Sequence, residues 1–201
     1  MQTTPRTPSA SAETGACMPV IWHIQGKGVP VVILPDAHVR WDIWDDVLRH
    51  WSQHYQLLLP SCATAAVDAD LLQSMTVQAG ASQRQPPLYL IGLHEAAALA
   101  CQLAAQLPHL SGLVLLYDQR HGCNWSSAAP GSDTLPMTSH PLPPHIPVLT
   151  VWLNAPGQTE PADAVLTLTQ NHSQHEWMVL SATSSPHTIA QCIHSWMQSH
   201  A

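Results

Sequence analysis

The chain has 201 residues, 45% of them apolar and only 9% charged. It has the apolar surface to fold and lacks the high charge of a disordered chain. Six basic against thirteen acidic side chains give a net charge of −7, and Lys27 is the only lysine, which excludes a nucleic-acid partner that needs clustered cations and disfavours an anionic membrane surface.

The same composition sets further bounds. Protonating all fourteen His would carry the net charge from −7 to +7. An ordinary imidazole titrates near pH ~6.5, and most of these His read as surface residues of a histidine-rich chain. Five cysteines (Cys17, Cys62, Cys101, Cys123 and Cys192) are odd in number, scattered and without a C-x-x-C pair. That pattern suits a reducing compartment rather than a disulfide scaffold or zinc knuckle. No apolar run of about 18 residues occurs, so no membrane span is expected. Residues 1–18 lack the apolar core of a signal peptide and read as a disordered tail, followed by one folded domain over 19–201. A cytoplasmic location is the expectation.

Taken in order, "VIWHI" (20–24) and "VPVVILP" (29–35) are short β-branched runs. The link Gln25-Gly26-Lys27-Gly28 between them suits a hairpin. In "WDIWDDVLRHWSQH" (41–54), Trp41, Trp44, Val47, Leu48 and Trp51 recur at helical spacing. Such a Trp-rich helix either packs on the sheet or, if exposed, offers a partner surface. "YQLLLP" (55–60) reads as a buried strand and 68–80 as a helix ending near Gly80. The strand "LYLIG" (88–92) precedes a helix over 95–107, and "GLVLLYD" (112–118) is the next strand. Residues 119–146 form an irregular insertion holding Pro130, Pro136, Pro141, Pro143 and Pro144, too rich in proline for helices. Order returns with the strand "PVLTVWL" (147–153), a short element near 161–169, the strand "HEWMVLS" (175–181) and a helix over 187–199. In that helix Ile189, Ile193, Trp196 and Met197 share a face.

Apolar strands alternating with helices predict a three-layer α/β/α fold with a mostly parallel central sheet. In such sheets ligands bind along the rim of strand C-terminal ends. "LYLIGLHEAAALACQLA" (88–104) draws attention to that rim, because an apolar strand passes through a tight Gly92-Leu93-His94-Glu95-Ala96 turn into an alanine-rich helix. Strand, turn and helix together resemble the nucleophile elbow of the α/β-hydrolase superfamily, in which G-x-S-x-G holds a serine at the tip of a strained turn. The resemblance covers roughly residues 20–199. "HIPVLTVWLN" resembles the strand before that superfamily's catalytic acid, and "SATSSPHTIAQCIHSWM" the loop and helix around its catalytic histidine. The insertion at 119–146 takes the lid position, and no helical lid domain is implied.

The departures from that pattern matter as much as the matches. His94 stands where the serine would be. Pro35-Asp36 replace the usual His-Gly of the oxyanion segment. "LNAPGQ" (153–158) offers no carboxylate before Glu160, and His187 falls about three positions late. The segment "VVILPDAHVRWDIW" resembles a divergent bacterial branch of the superfamily whose elbow lacks a nucleophile serine. These residues imply a degenerate triad on a non-catalytic, ligand- or protein-binding scaffold (a pseudoenzyme), with Asp36, His38, Leu93, His94 and Glu95 lining the cleft. A small apolar or acyl-type ligand or a protein partner would occupy it, and no cofactor is implied. The alternative is an atypical, esterase-like hydrolase. It would combine Asp118 and His187 with a relocated nucleophile at Ser61 or Cys62, or use a His/Asp metal site of the kind His38, His94 and His187 could form.

Overall fold

The computed structural model describes residues 21–35, 41–60, 87–94, 96–107, 109–118, 144–154, 174–181 and 183–200. The expected tail, the helix at 68–80, the element near 161–169 and residues 119–143 of the insertion lie outside them. In chain order the elements are β1 (Trp22–Gly26), β2 (Val29–Leu34), α1 (Trp41–Trp51), β3 (Tyr55–Pro60), β4 (Leu88–Leu93), α2 (Ala96–Ala104), β5 (Leu110–Asp118), β6 (Val148–Leu153), β7 (His175–Leu180) and α3 (Pro186–Ser199). The strands make one seven-stranded sheet in the order β1-β3-β2-β4-β5-β6-β7. Every neighbouring pair is parallel except β1 with β3.

The hairpin expected between β1 and β2 does not form. β1 pairs instead with β3, Trp22 opposite Pro60 and Gly26 opposite Gln56, and β3 is wedged between them by its parallel pairing with β2. A β-branched run on each side of a Gly-rich link suits either arrangement; the non-local pairing of "YQLLLP" decides. The two glycines of the link are needed all the same. Gly26 and Gly28 hold φ of 81° and 121°, and a Cβ on either would strike the backbone of residues 52–55.

Alternation along each strand feeds two cores, because a side-chain period of two points neighbours to opposite faces. Val31, Ile33, Tyr89, Ile91, Leu93, Val114 and Leu116 pack on the face covered by α1 and α3. Val32, Leu34, Leu88, Leu90, Leu113, Leu115 and Tyr117 pack on the opposite face, under α2. Burial on both faces explains why the inner strands read as unbroken apolar runs. Pro30 fits within β2 because its partner there is Gln56 of β3 alone, and pairing with β4 begins only at Val31.

Helix α1 carries the Trp periodicity inward. Trp44 is 4% exposed and Trp51 1%, and the Trp51 indole N–H donates to the Ala190 carbonyl of α3 at 3.0 Å. These two Trp therefore build the core, and the exposed Trp surface considered from the sequence is not available on them. Tyr89 of β4 ties α3 to the sheet, its hydroxyl donating to the Met197 carbonyl at 2.7 Å. Helix α3 starts where Ser185 caps it, its side chain accepting from the Thr188 N–H, with Pro186 at the first helical position. It buries Ile189, Ile193, Trp196 and Met197 as the spacing predicts, and Ala190 with them. Among the described residues no helix lies between β5 and β6, and none is long and apolar enough to cross a membrane.

Candidate functional site: the elbow after the fourth strand

The site begins with glycine and alanine. β4 and α2 are joined by a single turn, and at that distance the helix lies almost on the strand. A Cβ placed on Gly92 would sit 2.7 Å from the Ala100 Cβ, 2.8 Å from the Ala97 Cα and 3.0 Å from the Ala96 carbonyl oxygen. Gly92 and the run of alanines facing it are therefore the steric condition for the turn. This is the close packing that small flanking residues provide in a strand–elbow–helix.

His94 occupies the tip. Its φ is 49°, the one left-handed value at a non-glycine among the described residues. That region costs an L residue with a Cβ roughly 1–2 kcal/mol. Two backbone hydrogen bonds hold it there. The His94 N–H donates to the Leu116 carbonyl of β5 at 2.8 Å, and its own carbonyl accepts from the Ala97 N–H at 3.0 Å. The side chain is 8% exposed. An imidazole thus stands at the strained apex above the middle of the sheet.

The neighbouring strand ends complete the rim. Leu93 pairs with Leu116, Asp118 with Leu153 and Leu153 with Leu180, so Asp118 ends β5 two residues beyond the level of Leu93. After β6 the chain continues into buried Asn154, whose N–H donates to the Leu180 carbonyl at 3.1 Å. After β7 comes a hydroxyl-rich turn. The Ser181 hydroxyl meets the Thr183 hydroxyl at 2.9 Å and accepts from the Thr183 N–H, and Ser185 caps α3. These residues occupy the segment where the resemblance implies a histidine.

His187 lies in the first turn of α3, its ring edge-on to His50 of α1 at 4.9 Å between centroids. It lines an open groove of about 390 Å³ with Asp46, Arg49, His50 and Gln53, and His94 is not part of that wall. Leu93, expected to line the cleft, turns into the core on the α1–α3 side, 1% exposed. Asp36, His38, Ser61, Cys62, Glu95 and Glu160 lie outside the described residues. Among those described, no three His, Cys, Asp or Glu side chains gather as ligands of a metal ion do.

Sequence reasoning missed a second feature, a group of imidazoles at the seam between α1 and α3. His54 stacks on His194 at 4.6 Å, His50 lies 5.5 Å from His54 and 6.3 Å from His194, and the Tyr55 hydroxyl bonds the His194 Nδ1 at 2.7 Å. The residues come from a helix, the turn after it, a strand and a distant helix. The sequence offers His50 and His54 at i, i+4, a pair expected by chance among fourteen His, and nothing in it joins them to His194 or Tyr55.

No protein-family model matches the chain, and no curated protein matches it in sequence. Solved structures do match. A soluble variant of monoglyceride lipase from Saccharomyces cerevisiae, in complex with a substrate analog, aligns with a TM-score of 0.66 over 100% of this chain and 97% of its own, at 10% identity. MGS-MChE2, an alpha/beta hydrolase from the metagenome of lagoon sediments at Mar Chica, Morocco, gives 0.62 over 89% and 94%, at 14% identity. A thermophilic esterase from Thermogutta terrifontis gives 0.62 over 90% and 94%, at 13% identity. Likeness at such low identity carries the fold and nothing finer. With its antiparallel first strand, its parallel sheet and its left-handed turn between β4 and α2, this chain has the α/β-hydrolase fold.

Proposed function

We propose that the chain is a non-catalytic member of the hydrolase fold, from a divergent bacterial branch without the elbow serine, that uses the rim around His94 to bind. The ligand is a small apolar, acyl-type molecule or an apolar segment of a protein partner. One observation carries the reading: the strained tip, the position that gives a serine its reach, holds His94. Losing the nucleophile removes most of a triad's contribution, on the order of 10⁶-fold, and leaves only binding and oxyanion effects. Asn154 after β6 and the Ser181–Ser185 turn after β7 support the same reading. Leu153 to Gln158 after β6 carries no carboxylate, and the turn after β7 is rich in hydroxyls where the resemblance implies a histidine, so the groups that would activate a nucleophile are missing from both segments. The lipase neighbour is described in complex with a substrate analog, and an acyl-type ligand extends that precedent to this rim.

A panel of p-nitrophenyl esters of graded acyl length, assayed with wild type, His94→Ala and His94→Gly, tests the proposal. The glycine variant tolerates the left-handed turn and guards against misfolding. Hydrolysis at the buffer rate by all three is expected. Turnover by the wild type that both substitutions abolish would make His94 a catalytic group and overturn the proposal. Turnover unaffected by either would overturn it too, in favour of a relocated nucleophile at Ser61 or Cys62.

A further inference from the structure

We propose that the seam between α1 and α3 is a pH-responsive clamp, in which His50 and His194, packed with His54, hold the helices together while neutral and part them when His50 and His194 are protonated in mild acid. The geometry comes first. Three imidazoles from two sides of one seam lie with ring centroids 4.6, 5.5 and 6.3 Å apart. Neutral rings at such distances attract through stacking and edge contacts, whereas like charges there repel. Beneath them the seam is apolar, with Trp51, Ile189 and Ile193 each no more than 1% exposed, so the imidazoles cap a dry contact at its solvent edge.

Among the described residues, Asp46 is the carboxylate that lines the groove beside the cluster, and it is already paired. From α1 come Asp46 and Arg49, which pair with each other at 3.2 Å as exposed side chains. From β3 comes Tyr55, and from α3 His187, in ring contact with His50. With His194 neutral, either it or the Tyr55 hydroxyl can donate in their 2.7 Å hydrogen bond. Once His194 is protonated, both ring nitrogens are donors and the phenol can only accept. Protonation thus both charges the seam and restricts one of its fixed bonds.

The titration of two members agrees in direction. His50 is held below the usual imidazole range by burial first, then by His187 and His54. His194 is lowered by burial first, then by His54 and His50. A histidine lowered on folding binds fewer protons folded than unfolded. Its contribution to stability is therefore complete above pH ~6.5 and is lost as pH falls from there through the lowered folded value. The clamp is closed at neutral pH and loosens below about 6.5.

Two measurements on the full chain test this, one needing no variant. In a histidine C2–H NMR titration of wild type, His50 and His194 should titrate with midpoints below 6.5; midpoints at or above 6.5 would overturn the clamp. In thermal unfolding at pH 7.5 and 5.5, wild type should lose roughly 2–4 °C more than His54→Gln. That variant alters an exposed turn residue and should also raise the His194 midpoint. Equal losses in the two proteins, or an unmoved His194 midpoint, would overturn the proposal.

Discussion

Replacing Gly92 by alanine is expected to lower the thermal midpoint by roughly 6–12 °C, the response of a chain of this length to about 3 kcal/mol. The added methyl has nowhere to go. Its three nearest neighbours at 2.7–3.0 Å include the Ala97 Cα and the Ala96 carbonyl of α2, so relief requires moving a helix rather than a rotamer. Gly112→Ala provides the comparison. There a Cβ would meet the Tyr89 ring at 3.0 Å and the edge of Trp196 at 3.1 Å, side chains that can turn by a few tenths of an ångström. Its loss should be less than half that of Gly92→Ala. Equal losses would mean that Gly92 is no more constrained than any buried glycine, and the tight elbow would lose its steric basis.

Trp51→Ala should cost about 3–5 kcal/mol, read as a lower denaturant midpoint at an unchanged slope. Trp51 is among the largest fully buried side chains, and it touches both neighbours of the seam: the sheet below and, through its indole N–H, the Ala190 carbonyl. Trp51→Phe separates packing from hydrogen bonding. It keeps most of the apolar bulk and removes one bond to a helical carbonyl, so a loss nearer 1 kcal/mol is expected. A Trp51→Ala loss below 1 kcal/mol would show that α1 docks through other residues.

Much of this fold can be read from the residues because local pattern and tertiary demand coincide. The inner strands are apolar runs since both faces are covered, and α1 is marked by Trp44, Val47, Leu48 and Trp51 at helical intervals, all buried. The partner of β1 cannot be read so, because the Gly26-Lys27-Gly28 link permits either a hairpin or a skipped position. The choice rests on β3, some thirty residues away, which offers both of its edges. At the elbow, Gly92 and Ala96 announce close packing, yet only coordinates assign φ 49° to His94. Beyond the i, i+4 pair of His50 and His54, the imidazole cluster is invisible in sequence for the same reason as the β1 pairing. His50 and His194 meet across 144 positions, and no local rule joins them.

The most direct test of the claim that this hydrolase fold carries no nucleophile at its elbow is intact-mass analysis after incubation with an alkyl fluorophosphonate, which phosphonylates activated serine hydroxyls. The account predicts a mass unchanged by the probe while a serine esterase in the same tube is fully modified. A stoichiometric adduct, whether it maps to His94, Ser61, Cys62 or another residue, would contradict it.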